Sequence, residues 1–219
     1  MSKLDPKKFL HLTGSRITEL PQLWMVGGSA LTDPNIEQSQ IVGNIIANYL
    51  GMPVSYLTAN GASNDWCADQ ILRSDIRSGD VVLWNIMFET RFPFWHSQTN
   101  QVIHIQPDYK KHSKVDIDLS EHAVVDWLTS EHCFYSAVTH AHQVLNFCNK
   151  IGVKLLPHAQ YPVEISAEMM EYFSNFPVFT IMPGEKYMDV TIDGWHPGPI
   201  HHAQCAERLI QALVKQNWV

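Results

Sequence analysis

Short apolar runs alternate with helical patterns along most of the chain, and this alternation restricts the fold more than any other feature. The helical stretches show the i, i+4 spacing of apolar residues and separate one apolar run from the next. Strands joined by helices of ten or more residues form right-handed parallel crossovers. The pattern predicts an α/β protein: a three-layer α/β/α sandwich around a five-stranded parallel sheet. The predicted strands cover residues 23–26, 54–58, 81–84, 153–156 and 178–180.

Cap and turn residues indicate where the predicted helices begin and end. Asp33 and Pro34 are residue types favoured at an N-cap and a first helical position, and Gly51 follows the same apolar stripe as a C-cap glycine would. The other helices are predicted to end near residue 72, to cover 119–150 with a break near 130, to cover 166–175, and to begin near Pro199.

Residues 88–118 interrupt the regular pattern. They mix aromatic, His, Gln, Asn and Lys residues without a sustained period, apart from a predicted strand over 101–105, half of an edge hairpin. Long irregular insertions in domains of this kind often carry binding loops. Because no linker, repeat or charge block divides the chain, we expect one domain over residues 1–219 with an irregular insertion at about 88–118.

Charge and composition exclude several classes of protein. With 15 Lys+Arg against 22 Asp+Glu the net charge is −7, so we expect neither nucleic acid nor a membrane as a partner. No apolar stretch reaches the roughly 18 residues of a membrane helix, and the first residues lack the apolar region of a secretory signal. The expected location is the cytoplasm, or a virion if the protein is viral. The four cysteines form no C-x-x-C pair and are expected to be reduced thiols, mostly buried.

Several residues able to carry chemistry follow the predicted strands, where ligands bind in parallel α/β sheets. A nucleophilic serine needs a base to take its proton, an acid to orient that base, and N–H donors for the oxyanion. Ser29 stands on a strand-to-helix turn after two glycines, and His196 comes three residues after Asp193. We expect Ser29 to be the nucleophile, His196 the base and Asp193 the orienting acid. The N–H groups of Ser29 and Gly61 are the expected oxyanion donors.

Three segments, in this order, resemble the sequence blocks of the SGNH (GDSL-like) hydrolases, and the resemblance covers essentially the whole chain. Val26-Gly-Gly-Ser29 resembles the first block, Asn60-Gly-Ala-Ser-Asn64 the second, and Asp193-Gly-Trp-His-Pro-Gly198 the last, Asp-x-x-His-Pro. The resemblance implies a flavodoxin-like sheet and the same roles for the serine, glycine, aspartate and histidine. It implies a serine ester hydrolase that removes an O-acyl group, such as O-acetyl, from a carbohydrate or another small ester. No cofactor is expected.

Two blocks depart from the pattern of the family. Gly28 stands where the family usually has Asp, and the third block, usually Gly-x-Asn-Asp, reads Trp-Asn-Ile-Met-Phe-Glu-Thr-Arg over residues 84–91. In the family the third-block asparagine donates to the oxyanion, whereas here Asn85 lies earlier than the family position. Asn64, Asn85 and Arg91 are alternative donors, and Arg91 is also a candidate substrate contact. Asn64 and Asp65 are alternatively N-cap residues of the helix that follows.

Other interpretations of these residues stay open. Ser29, Asp193 and His196 are also common turn and capping types. The altered third block is compatible with a non-catalytic SGNH-like binding or assembly module, for example in a virion. A flavodoxin-like domain that binds FMN or a nucleotide is a third alternative, although residues 27–32 match a phosphate loop only in part. The 12 histidines show no metal-ligand spacing, so no metal is expected, and the sequence predicts no oligomeric state.

Overall fold

The computed structural model describes residues 16–59, 61–86, 92–96, 101–105, 130–159, 180–181, 188–194 and 196–219. Helices and strands alternate through these ranges as the sequence predicts. In chain order they are β1 (Leu23–Gly28), α1 (Val42–Leu50), β2 (Val54–Ala59), α2 (Asn64–Arg73), β3 (Val81–Asn85), β4 (Phe92–His96), β5 (Gln101–Ile105), α3 (Ser130–Ile151), β6 (Lys154–Ala159), β7 (Thr180–Ile181) and α4 (Pro199–Lys215). Two short 3-10 turns, Ser29–Leu31 and Gln38–Gln40, precede α1.

The central sheet has five strands in the order β2-β1-β3-β6-β7, and every neighbouring pair is parallel. The predicted five-stranded parallel sheet is therefore confirmed, with the described part of the last strand at Thr180–Ile181. The strand predicted over 101–105 is also confirmed. It forms a separate antiparallel pair with β4, inside the predicted insertion.

Side chains that alternate along β1 enter two different cores, one on each face of the sheet. Trp24 and Val26 pack with residues of α2 and α3, whereas Leu23 and Met25 pack with residues of α1 and α4. All six residues of β1 are buried, as expected for a central parallel strand covered on both faces. The result is the predicted three-layer α/β/α arrangement.

The first helix begins later than the sequence predicts. Asp33 is not its N-cap, because α1 starts at Val42, after an irregular segment and a 3-10 turn. Between Pro34 and Ile41 only Ile36 is apolar, so this stretch has no face to pack as a helix. The predicted end is confirmed: Gly51 adopts the left-handed conformation, with φ of 62°, and its N–H donates to the carbonyl of Asn48.

The remaining helix ends differ from the predictions in one case. The N-cap of α2 is Ser63, whose hydroxyl accepts the N–H of Trp66 at 3.2 Å, so neither Asn64 nor Asp65 is the cap. Pro199 begins α4, as predicted. Residues 119–129 of the third predicted helix and the helix over 166–175 lie outside the described residues.

Within the described ranges, no helix is both long and apolar enough to cross a membrane.

A buried ion pair holds the amino end of the sheet. The Asp80 carboxylate, just before β3, is fully buried and pairs with Arg16 at 2.5 Å. It also accepts the backbone N–H of Gln22, the indole N–H of Trp24 and the N–H of Arg77. In parallel α/β sheets ligands bind at the opposite, carboxyl end of the strands, so a ligand site is expected there.

The described cysteines agree with the prediction of reduced thiols. Cys67, Cys148 and Cys205 are free and buried, and burial raises the pKa of Cys148 and of Cys205 to about 12. These thiols are therefore protonated at neutral pH and pack as small apolar groups. The side chain of Cys133 lies outside the described residues.

Candidate active site

The end of β1 delivers Ser29 to the carboxyl edge of the sheet. Gly27 has a φ of 156°, and a Cβ there would lie 2.9 Å from the Cβ of Asn85 and from a methyl group of Leu31. Only glycine fits this close approach, after which the chain turns into the 3-10 turn that Ser29 begins. The carbonyl of Ser29 accepts the N–H of Thr32 at 2.9 Å, which fixes the turn.

A short loop before α4 presents His196 and Asp193. Val190 and Pro197 pair across the loop, and the N–H of Thr191 donates to the carbonyl of His196 at 2.9 Å. Gly194 makes the turn between them, with φ of 73° and its N–H on the carbonyl of Thr191. These backbone bonds hold the acid and the imidazole in a fixed relation.

Asp189 ties this loop to the first turn of α4. Its carboxylate accepts the N–H of Ile200 at 3.0 Å and that of His201 at 2.8 Å, and its carbonyl accepts the N–H of Gly198 at 2.9 Å. A carboxylate at a helix N-terminus satisfies N–H groups that have no partner inside the helix. The position of the loop that carries His196 is therefore set by the helix.

Ser29, His196 and Asp193 meet in one hydrogen-bonded chain. The Ser29 hydroxyl lies 3.0 Å from Nε2 of His196, and Nδ1 of the same ring lies 2.6 Å from Oδ2 of Asp193. Carboxylates only accept hydrogen bonds, so Nδ1 carries the ring proton and Nε2 is left to accept the serine O–H. The other oxygen of Asp193 accepts the Thr191 hydroxyl at 2.7 Å and the N–H of His196 at 3.1 Å. The arrangement can remove a proton from the serine.

A second carboxylate, Asp33, lies against the same imidazole. Its Oδ2 is 3.2 Å from Nδ1 of His196, and its side chain is fully buried, whereas the side chains of His196 and Asp193 are each 31% exposed. Its other oxygen accepts the N–H of Asn35 at 2.7 Å, which forms the turn after Asp33. The residue that the sequence predicted to cap a helix therefore lies at the candidate site.

Gly61 lies two residues beyond β2, on the strand next to β1. The register pairs Gly28 with Ala59, so Gly61 and Ser29 follow neighbouring strand ends. Gly61 has a φ of 68°, and its N–H has no hydrogen-bond partner among the residues that the structure describes. An unused N–H at this edge can donate to a substrate oxygen. Asn64, in the first turn of α2, is 9% exposed.

Asn85 and Arg91 are the remaining predicted oxyanion and substrate residues. Asn85 is fully buried beside Gly27, at the carboxyl end of β3. Its place in an oxyanion hole stays a prediction. Arg91, and with it the region 87–91 of the third block, lies outside the described residues, as does Trp195.

One group of side chains could hold a metal ion. The ligand atoms of Asp33, Asp193 and His196 lie within 4.8 Å of one another. On the imidazole the available atom would be Nδ1, so a cation there would replace the proton that faces both carboxylates. His202, which the sequence places nearby, instead accepts the N–H of Val42 on Nδ1 at 3.2 Å and packs inward. The expectation of no metal stays a prediction.

Sequence reasoning missed Asp33 and Thr191. A signal was available for Asp33: it stands four positions after Ser29, in the loop beyond a strand end, where ligand and catalytic groups collect. The Asp-Pro pair is also a common helix start, and the sequence analysis therefore assigned Asp33 to an N-cap and not to the site. Nothing in the sequence around Thr191 distinguishes its hydroxyl from that of an ordinary loop residue.

Comparisons by sequence and by structure give different results. No protein-family model matches the chain, and no curated protein matches it either. Among solved structures, an acetyl xylan esterase from the rumen bacterium Butyrivibrio proteoclasticus matches with a TM-score of 0.54 at 11% identity, over 91% of this chain and 65% of that one.

Two further structures match at similar levels. A carbohydrate esterase family 2 enzyme plus carbohydrate binding domain, from Corynascus thermopiles (Myceliophthora fergusii), gives a TM-score of 0.57 at 13% identity, over 93% of this chain and 69% of that one. A lipolytic protein of the G-D-S-L family from Desulfitobacterium hafniense gives 0.52 at 5% identity, over 89% and 100%. Together with the sheet order and layers, these matches show that the chain has the fold of the SGNH hydrolases, as its sequence blocks predicted.

Proposed function

We propose that this protein is a serine ester hydrolase, with Ser29 as nucleophile, His196 as general base and Asp193 as orienting acid. One observation carries the proposal: the Ser29 hydroxyl is 3.0 Å from Nε2 of His196 while Nδ1 of that ring faces carboxylate. A base this close to a serine, with its proton-bearing nitrogen held by an acid, is the arrangement that activates a serine.

The first half of the reaction forms an acyl-enzyme. Nε2 of His196 takes the hydroxyl proton as the serine oxygen attacks the ester carbonyl, which becomes a tetrahedral oxyanion. The N–H groups of Ser29 and Gly61 donate to that oxyanion, and Asn64 is a further donor candidate. His196 then gives its proton to the leaving alcohol as the C–O bond breaks, and the acyl group remains on Ser29.

The second half releases the acid. His196 takes a proton from water, the hydroxyl oxygen attacks the acyl carbon, and the ester bond to Ser29 breaks as the proton returns to the serine oxygen. The imidazole carries a positive charge in both transition states. The carboxylate on Nδ1 stabilises that charge and keeps the ring in the required tautomer.

The substrate that we propose is an O-acyl ester, such as an O-acetyl group on a carbohydrate. Support comes from the shared fold, since the matched structures are described as an acetyl xylan esterase and a carbohydrate esterase. The chain spans 65% of the acetyl xylan esterase, so the comparison concerns the shared part of that protein alone. Acetate release from acetylated xylo-oligosaccharides, compared with hydrolysis of p-nitrophenyl acetate, tests whether the sugar improves turnover.

Replacement of the nucleophile tests the mechanism. Ser29→Ala should lower p-nitrophenyl acetate hydrolysis by about a thousandfold or more, because no other hydroxyl lies on Nε2 of His196 among the described residues. The matched control is Ser39→Ala, an exposed serine in the Gln38–Gln40 turn, which should keep full activity.

A fluorophosphonate probe gives an independent readout of the same serine. It should label the parent protein at Ser29, located by peptide mass spectrometry, and leave Ser29→Ala unlabelled. Unchanged turnover in Ser29→Ala would remove that serine from the mechanism. A folded parent protein that the probe does not label would instead favour the non-catalytic binding or assembly module.

A further inference from the structure

The Asp33 side chain is a carboxylate taken out of water and held against the proposed base. Its side chain has no exposed surface, Oδ1 accepts the N–H of Asn35 at 2.7 Å, and Oδ2 points to Nδ1 of His196 at 3.2 Å. Oδ2 also lies 3.4 Å from the Thr191 hydroxyl. The turn therefore fixes one oxygen and leaves the other directed at the imidazole.

Asp33 and Asp193 both contact Nδ1 of His196, but they differ in distance and in solvent exposure. Asp193 is nearer, with 2.6 Å between Oδ2 and Nδ1, but 31% of its side chain is exposed to solvent that screens its charge. Asp33 is farther from Nδ1, but none of its side chain is exposed to solvent. Charge–charge interactions strengthen as the local dielectric constant falls. Burial therefore offsets part of what Asp33 loses by its longer distance from Nδ1.

The Thr191 hydroxyl lies within hydrogen-bond distance of both carboxylates. Its distance to Asp193 Oδ1 is 2.7 Å and its distance to Asp33 Oδ2 is 3.4 Å, so its single proton is donated mainly to Asp193. Two anions this close repel each other, and a positive charge on the ring between them lowers that repulsion. The imidazolium formed during the proposed reaction has this position.

We infer that Asp33 is a second positioning residue for His196, which lies against Nδ1 of the ring beside Asp193 and stabilises the positively charged ring. The inference rests on the proposed ester hydrolysis for its role in catalysis. The electrostatic effect of Asp33 on the ring does not depend on ester hydrolysis. A buried carboxylate beside an imidazole favours the protonated ring whether or not an ester is cleaved.

Few other groups face this ring in the described part of the chain. Asp33 comes from the loop after β1, Asp193 from the loop of His196 itself, and His202, whose charge interacts with that of His196, from α4. Burial lowers the pKa of His202 to about 4, so its ring is neutral at neutral pH. Asp33 and Asp193 are therefore the two anions that interact with the His196 ring in this part of the structure.

The test compares Asp33→Asn, Asp193→Asn and the double variant. The titration midpoint of the His196 ring, followed by NMR of a selectively labelled histidine, should fall in each single variant, because a neighbouring anion favours the charged ring. The hydrolysis of p-nitrophenyl acetate should lose about tenfold in kcat in each single variant, with KM unchanged. The double variant should lose more than the product of the two, since each acid partly replaces the other.

The controls separate positioning from folding and from metal binding. Asp69→Asn, an exposed carboxylate on α2, should change neither the midpoint nor kcat. EDTA in every buffer prevents a cation from taking the place of the Nδ1 proton. Asp33→Asn keeps the oxygen that accepts the N–H of Asn35; if that variant does not fold, Asp33→Ser, which can accept the same N–H, takes its place.

A His196 midpoint in Asp33→Asn equal to that of the parent protein overturns the inference. A double variant with the same kcat as Asp193→Asn alone also overturns it. If the proposed function fails, no variant hydrolyses the ester, yet the NMR midpoints still shift as expected. The two failures are therefore distinguishable.

Discussion

The burial of His158 should make the folding stability of the protein sensitive to acid. It is the fifth residue of β6, where its backbone pairs with Asn85 of β3, and it is fully buried. Neither ring nitrogen has a hydrogen-bond partner within the described ranges. Burial without a partner disfavours the charged ring and lowers its pKa from 6.5 to about 3. The histidine is therefore neutral in the folded protein throughout the physiological range.

The sign of the effect follows from where each state binds the proton. The unfolded chain takes up a proton at His158 near pH 6.5, whereas the folded protein takes it up only near pH 3. The unfolded state thus binds more protons between these values, and folding stability falls as the pH falls through this window. From pH 7 to pH 5 the loss is about 2 kcal/mol for this one side chain.

His202 adds a similar effect. Its Nε2 is buried without a partner among the described residues, and its pKa is lowered to about 4, chiefly by burial. From pH 7 to pH 5 it contributes roughly another 2 kcal/mol of lost stability. The sum, about 4 kcal/mol, is a large fraction of the roughly 5–15 kcal/mol by which such domains are stable.

His158→Leu removes one of the two effects. The free energy of unfolding, from urea titrations followed by tryptophan fluorescence, should fall by about 2 kcal/mol less between pH 7 and pH 5 than in the parent protein. At pH 7 the variant should be at least as stable, because two unsatisfied nitrogens leave the core. The matched control is His142→Gln, on the exposed side of α3, which should keep the parental pH dependence. An equal loss of stability in His158→Leu and the parent protein would refute the reasoning.

Two further substitutions test contacts at the two ends of the sheet. Asp80→Asn should cost about 3–5 kcal/mol of stability in urea unfolding, because Arg16 loses its buried partner, while Asp69→Asn in the exposed pair with Arg73 should cost under about 1 kcal/mol. Gly27→Ala should lower both the unfolding midpoint and kcat, since its Cβ would lie 2.9 Å from that of Asn85 and would displace the turn that carries Ser29. Parental stability and activity in Gly27→Ala would show that the turn tolerates the methyl group.

The helix boundaries show how far local signals reach. Gly51 ends α1 and Pro199 begins α4 as predicted, because left-handed caps and first-turn prolines act within a few residues. The start of α1 was predicted wrongly for the same reason. Asp33 and Pro34 satisfy the local rule for a helix start, but the Asp33 carboxylate contacts a histidine from the far end of the chain, which no local pattern contains.

The sequence by itself determined the parallel α/β sheet, since runs of apolar residues must be buried on both faces and the helices between them must cover those faces. It also determined which strand ends carry Ser29, Gly61 and the Asp193–His196 pair. The tertiary structure alone decided that Asp33 joins that pair, that Asn85 is buried beside Gly27, and that His158 is enclosed without a partner among the described residues. The physical reason is that burial and charge pairing depend on which distant segments meet, and that is set only when the layers pack together.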